Sequence, residues 1–517
     1  MSTWTSSTDF PAPITDDDAV PRVSETVDDR TPITASRIDV GARIGWLLRT
    51  HRSVAGLSLR QMSAGLKGYG VSLSAASLSR IESEGHRSPA ALDGYARVLG
   101  LTDGALRAPV DLLCRTFPYA PEAPPRVAGS LEQFSRAFEA IDVPNPTGAA
   151  WQQLAQQHAH GDFGLPRSLI EPHVRRLAME LTRSTGVARF TRIEALSTLR
   201  CSAYGDLVAD VVRSIVLAPD AQNTWDLVTA VTECPSPGVL DWLASLLRHP
   251  SLYVAQGASY GLQGMLVIGG LGLEEWTGLV PHVELARRDA GADPSRRGML
   301  TQLCAALPPR LQETLHETCR PEPTAPRGPA VWSRSRQNLH YVAAEHLART
   351  VTGLMAHPEE PLLARLLFEA LFDPRGVRMS TATYTLAFSP FAGTLVQVLL
   401  EQRDGLPGDP GGASALRVAA FCHEGETPPG LERLLGSQDE TVLQHVLAFC
   451  SRGSRPVPQA LVDRGLSGVE LTVRRTLSCL GMLGDPRLRE IAEDPALPSS
   501  TRGGARWWIE HGPRVPV

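Results

Sequence analysis

Lysine is almost missing from this chain. Lys67 is the only one among 517 residues, and arginine supplies the remaining positive side chains. A Walker-type phosphate-binding lysine and a Schiff-base lysine are thereby excluded from everything beyond the first eighth of the sequence. Such heavy use of Arg, Ala, Gly and Pro matches the codon bias of a GC-rich bacterial genome. Long hydrophobic runs are also absent. The most apolar stretch, Met265–Leu271, is short and glycine-rich, whereas a bilayer span needs about 20 apolar residues. The first residues lack a basic region followed by an apolar stretch, so no signal peptide is expected and the predicted location is cytoplasmic, with no membrane partner.

Chemistry-bearing motifs are equally scarce. The eight cysteines (Cys114, Cys201, Cys234, Cys304, Cys319, Cys422, Cys450 and Cys479) contain no C-x-x-C pair. Most have apolar neighbours, and the expectation is reduced, buried thiols. His158 and His160 flank Ala159, His340, Glu345 and His346 share one run, and Cys422-His423-Glu424-Gly425-Glu426 mixes ligand types. None has the spacing that puts two histidines on one helix face with a glutamate beside them, so no metal is predicted. No G-x-S-x-G elbow follows a strand-like run, and Gly264–Gly272 reads as a helix end and loop. Neither a cofactor nor an enzymatic role is expected.

What is present is organised by charge. The net charge of −5 excludes a protein that is basic all over, so any nucleic-acid surface must be local. Residues 1–36 hold seven acids against Arg22 and Arg30, with no periodic apolar face; they are predicted to be a disordered acidic tail. Residues 37–117 reverse the sign, with eleven bases against six acids. Residues 118–130, including Pro118-Tyr119-Ala120-Pro121 and Pro124-Pro125, form a proline-rich linker. From 131 to 517 apolar residues recur at three- and four-residue spacing between Pro and Gly breaks, which predicts helix almost throughout. Breaks near 321–329 and 405–412 divide this region.

Within the positive segment four short amphipathic helices are predicted. The first runs from about Val40 to His51. The second opens at Ser58 and buries Leu59, Met62 and Leu66. The third opens near Ser74 and buries Leu78 and Ile81. The fourth has Ser88 as cap and Pro89 in its first turn, buries Leu92, Tyr95, Ala96 and Leu99, and stops at Gly100.

Gly56-Leu57-Ser58, Leu78-Ser79-Arg80-Ile81-Glu82 and the Gly85…Ser88-Pro89 exit resemble the lambda-repressor/Cro-type (XRE-like) helix-turn-helix regulators. The likeness covers residues 38–101. It implies that the third helix lies in the major groove of double-stranded DNA. Ser74, Ala75, Ala76, Ser77 and Ser79 would then face base edges or nearby phosphates, and Ser58, Arg60, Gln61, Arg80 and Arg87 would grip the backbone. Two features depart from the family. Leu59 stands where glutamine is frequent, and the turn Lys67-Gly68-Tyr69-Gly70-Val71-Ser72 is long. That turn is either a neutral insertion or a further DNA contact through Lys67 and Tyr69.

Serine and alanine cannot make the bidentate contacts by which Arg, Asn or Gln read purines, each of which is worth roughly 1–3 kcal/mol of discrimination. Direct readout by one monomer should therefore be modest, and a homodimer on an inverted repeat is expected to supply the rest.

Further on, Val473–Arg489 and the segments opening at His249-Pro250 and Gly436-Ser437 resemble divergent HEAT-type repeats, in which helix pairs stack into a solenoid. Trp507-Trp508 suits a capping helix on the last repeat or a partner patch. The expected fold is thus all-α, a helix-turn-helix bundle followed by a HEAT-like region. The expected function is a bacterial transcription regulator whose helical region dimerises or senses a protein or small-molecule effector. The alternative is a helical-repeat scaffold on which the helix-turn-helix is vestigial or a tether.

Overall fold

The computed structural model describes residues 28–29, 31–32, 37–117, 119, 130–160, 164–315, 338–407, 411–426, 428–453 and 455–516. Among these residues the protein is all-α, with a helical repeat-like region after an amino-terminal head. Most of the linker at 118–130 and the break at 321–329 lie outside the described residues.

The head contains α1 (Val40–Val54), α2 (Leu59–Gly68), α3 (Ala75–Glu84), α4 (Pro89–Val98) and α5 (Arg107–Thr116). Their starts follow local capping chemistry. Asp39 accepts from Ala42 N at 2.9 Å. Ser58 and Gln61 form a reciprocal capping box. Ser74 accepts from Ser77 N at 3.1 Å, and Ser88 from Ala91 N at 3.3 Å. Each satisfies amide groups that the first helical turn leaves without a partner. Gly100, at φ +66°, closes α4 in the left-handed region.

Four details differ from the sequence reading. α1 continues a turn past His51, because His51 and Ser53 find partners elsewhere in the protein. Lys67 and Gly68 belong to the last turn of α2, so the connection to α3 is only residues 69–74. Leu59 and Leu99 are half-buried, whereas Met62, Leu66, Leu78, Ile81, Leu92, Tyr95 and Ala96 are buried as expected. Helix α5 was not among the four predicted, and it joins the head to the rest.

The remaining helices stack on their sequence neighbours, first over 131–315 and then over 339–511. The stack closes on itself. Phe190 meets Tyr384, Phe388 and Phe421 with ring centroids 5.4, 4.7 and 6.3 Å apart. Asn223 Nδ2 donates to Ser478 Oγ at 3.0 Å, and Val515 N donates to Arg183 O at 2.9 Å. An open solenoid with a long free concave face is therefore not what forms. Aromatic and polar side chains of the second half meet the first. Trp507 and Trp508 are buried, and Trp508 packs where a Cβ on Gly481 would sit 1.9 Å from its ring. This is the capping-helix arrangement.

The head rests across the junction of the two halves. Helix α1 buries charge against the second half. Arg43 Nη2 lies 2.7 Å from Glu369 Oε2 and 2.9 Å from Asp29 Oδ2. Glu369 also accepts from Arg365 at 2.7 Å and Arg378 at 2.6 Å. Trp46 Nε1 and Arg49 Nη2 both donate to Glu360 Oε2, at 3.2 and 2.6 Å. His51 Nε2 donates to the Phe388 carbonyl at 2.7 Å, and Ser53 pairs with His357 at 2.9 Å. Helix α5 faces the first half, where Arg115 bridges Glu194 and Glu233. Asp29, assigned from sequence to the acidic tail, is instead buried as the counter-ion of Arg43.

Candidate nucleic-acid interface

Helix α3 is held from behind and free in front. Its inner side places Leu78 and Ile81 in the core. Glu82, next along, is buried too, and Arg52 grips it with two hydrogen bonds of 2.6 Å. Tyr95 Oη donates to the same carboxylate at 2.8 Å. Burial, reinforced by the carboxylate, pushes the Tyr95 hydroxyl well above its ordinary pKa, so it stays a donor. Glu82 is therefore a structural tie linking α1, α3 and α4, not a DNA contact.

The crossing of α1 and α3 depends on backbone proximity. A Cβ at Gly45 would lie 2.0 Å from the Glu82 carbonyl oxygen. One at Gly85, whose φ is +69°, would lie 1.7 Å from the Gly41 carbonyl. Only glycine fits either place, and Gly85 also supplies the left-handed cap that ends α3.

The outward side of α3 carries Ser74, Ala76, Ser79, Arg80 and Ser83, all exposed, with Ala75 and Ser77 half-buried beside them. Ser58, Arg60, Gln61, Lys67 and Tyr69 are exposed on or next to α2. Neither helix has an acid in its first turn, and their amino-terminal amides carry the positive end of the helix dipole. Some side chains expected to reach out are already engaged. Ser74 and Gln61 serve as caps. Arg87 is turned inward, its Nε donating to Asp111 at 2.6 Å, and that carboxylate is buried.

The positive charge of the head is also less available than its sequence implies. Arg43, Arg49 and Arg52 are buried in ion pairs, two of them with acids outside residues 37–117. The exposed cations on or beside α2 and α3 are Arg60, Lys67 and Arg80. Sequence reasoning could not separate these from the buried set, because the partners Glu360 and Glu369 lie more than 300 positions away.

Among the described residues, no three His, Cys, Asp or Glu side chains converge as a metal site would require. No single described helix is long and apolar enough to cross a membrane. Comparison with family models and with curated proteins gives no match for this chain.

Proposed function

We propose that this chain is a sequence-specific DNA-binding regulator of transcription, acting as a homodimer that places α3 of each head in the major groove. The observation that carries the reading is the two-sided character of α3. Its back is fixed by Glu82 and by glycine contacts, while its front is a mostly exposed row of serine and alanine flanked by Arg60, Lys67 and Arg80. A fixed back gives the precision that groove recognition needs. A front of small side chains lets the helix approach the bases closely.

The helical region positions the heads. Each head is locked to both halves of that region by α1 and α5, so a change in how the halves meet moves the head as a body. This favours regulation through head geometry, and with it an effector acting on the helical region.

The test is enrichment of a randomised duplex library on the full-length protein. An inverted repeat should emerge, with half-sites separated by about one helical turn. Affinity for it should fall with salt at a slope set by about three phosphate contacts per head, each contributing about −0.9. Recovery of unselected sequence after repeated rounds would refute the reading. The isolated head is the wrong probe, since excising it exposes Arg43, Trp46 and Arg49.

A further inference from the structure

A cavity of about 440 Å³ opens where the two halves of the helical region meet. That volume lies within the roughly 300–1,000 Å³ usual for small-molecule sites. Both halves supply its walls. Phe190 comes from the helix Gly186–Arg200, Phe421 from the helix Gly411–Cys422, and Phe388 from the turn ahead of the helix Ala392–Gln402. Three phenylalanine rings set at steep angles to one another suit a flat apolar ring.

Two arginines lie against the Phe421 ring, and they differ. Arg189 Cζ is 5.3 Å from the ring centre, but its guanidinium pairs with Asp226. Arg452 Cζ is 5.1 Å from the same ring, and Arg452 lines the cavity. It donates through Nη1 to the carbonyls of Phe421 and His423, and among the described residues no carboxylate pairs with it. Burial and the nearby Arg189 lower its pKa to about 10, with Glu424 offsetting only part. The cation therefore persists at neutral pH in a place that disfavours it, and an anion alongside would relieve that cost. Glu424 and Glu426 also line the cavity, both exposed. Among the described residues neither makes a hydrogen bond or an ion pair. Glu424 lies across the first half, where a Cβ on Gly186 would be 1.4 Å from its Oε1. His423, buried in the same wall, has its Nε2 without a hydrogen-bond partner.

We propose that this cavity binds a small aromatic amino acid, its carboxylate on Arg452, its ammonium towards Glu424 and Glu426, and its ring among Phe190, Phe388 and Phe421. An aromatic acid without the amine would meet two glutamates. An aromatic amine without the acid would meet Arg452, with Arg189 behind it. A molecule carrying both charges a short distance apart, next to a ring, matches the whole set, and each mismatch acts against a competitor. The site also touches the seat of the head. Phe388, whose ring lines the cavity, accepts from His51 of α1 through its carbonyl. Phe391, next to the lining residue Ala392, packs on Trp46 of α1 with ring centroids 5.9 Å apart. Occupancy therefore bears on the segment 388–392 that seats α1. That this alters DNA affinity rests on the DNA-binding reading above; the binding of the amino acid does not.

The experiment is calorimetric titration of the full-length protein with L-phenylalanine, L-tryptophan, 3-phenylpropionate, phenethylamine and L-alanine. At least one of the two aromatic amino acids should bind, one per chain. The other three probes should each bind at least about tenfold more weakly, because each leaves a charged group or the ring site unmatched. Absence of binding by both aromatic amino acids, or equal affinity for 3-phenylpropionate or phenethylamine, overturns the proposal. Glu424→Gln changes an exposed side chain without partners. It should weaken the amino acid and tighten 3-phenylpropionate; an unchanged ratio of the two affinities overturns the assigned orientation. Gly393 lines the cavity within a helix and has open space where a Cβ would stand. Leucine favours helix more than glycine does, so Gly393→Leu should keep its circular dichroism and lose at least about tenfold in affinity as the cavity fills. Folded Gly393→Leu protein that binds as the parent does overturns the site. The affinity of the selected duplex is then compared with and without saturating amino acid. A difference that Gly393→Leu abolishes supports the link to the head. Equal, measurable affinities overturn that link. Absence of sequence-dependent binding in both conditions overturns the DNA-binding reading and leaves the amino-acid site standing.

Discussion

The head has an inner and an outer face, and both are rich in arginine. On the inner face Arg43 and Arg49 are buried and Arg115 is half-buried, and each is matched by carboxylates from distant parts of the chain. On the outer face Arg60 and Arg80 are exposed, among serines and alanines. The same residue type does opposite work. Buried, it specifies where the head docks, because an unmatched charge there costs several kcal/mol. Exposed, it contributes little to stability and remains available to a phosphate. Counting charge along a sequence cannot make this distinction; counting partners in the fold does.

The sharpest way to break the comparison is Glu369→Ala. It strips the shared partner from Arg43, Arg365 and Arg378, all buried. Removing one member of such a network typically costs about 3–5 kcal/mol. Urea unfolding of the full chain should show a loss of that size; a loss below about 1 kcal/mol would mean that the network does not hold the head. Gly45→Ala comes next. Its methyl would strike the Glu82 carbonyl, a backbone atom that cannot turn aside. We expect about 1–3 kcal/mol of destabilisation, and loss of DNA binding at temperatures where the helical region is still folded. Retained affinity would show that the seating of α3 on α1 is unimportant.

Acidity separates the faces too. Burial would raise the pKa of Glu369, but Arg43, Arg378 and Arg365 outweigh it and hold the carboxyl at about 2. Its folded value lies below the ordinary 4.5, so its stabilisation is complete above that pH and is lost as the pH falls from 4.5 towards 2. His51, at the docking surface, is lowered by burial, and His158, His423 and His445 are each lowered to about 4, with burial the main cause. These rings contribute stability above 6.5 that is lost as the pH falls through their folded values. Urea midpoints should therefore drop between pH 6.5 and 4, and again below 4.5. Helices α2 and α3 contain no histidine. The contacts they make should change far less over pH 6.5–5 than stability does, which titration of the selected duplex would reveal.

The sequence made the outer face legible because its determinants are local. Ser58, Ser74 and Ser88 each bond an amide three positions on, and the apolar spacing of Met62, Leu66, Leu78 and Ile81 follows from helix geometry alone. The inner face stayed hidden. Arg43 and Glu369 are 326 positions apart, and no periodicity links them. Asp29 looked like part of a solvated acidic stretch until its partner was in view. The same holds for the helical region. Its helices were recognisable, but its closure through Phe190, Phe388 and Phe421 depends on pairings about 200 positions apart. Cys304 departs from the expected reduced thiols in being disulfide-bonded, and again the spacing gave no sign of it.

The smallest effects sharpen the comparison most, because they pit arginines of one head against each other. Arg80→Ala and Arg60→Ala remove exposed side chains without buried partners and should change stability by no more than about 0.5 kcal/mol. Each should weaken binding to all duplexes and reduce the salt slope by about one. Arg87→Ala should behave in the reverse manner. It leaves the buried Asp111 with only Arg107, 3.5 Å away, so stability should fall by about 1–3 kcal/mol while the salt slope stays put. Ser79→Ala, on the open face of α3, should leave both quantities alone and shift only which duplexes are preferred, by about 1 kcal/mol or less. If Arg87 and Arg80 instead proved interchangeable in these measurements, the inward ion pair would not govern the side chain's role, and exposure would be a poor guide to which arginines meet DNA.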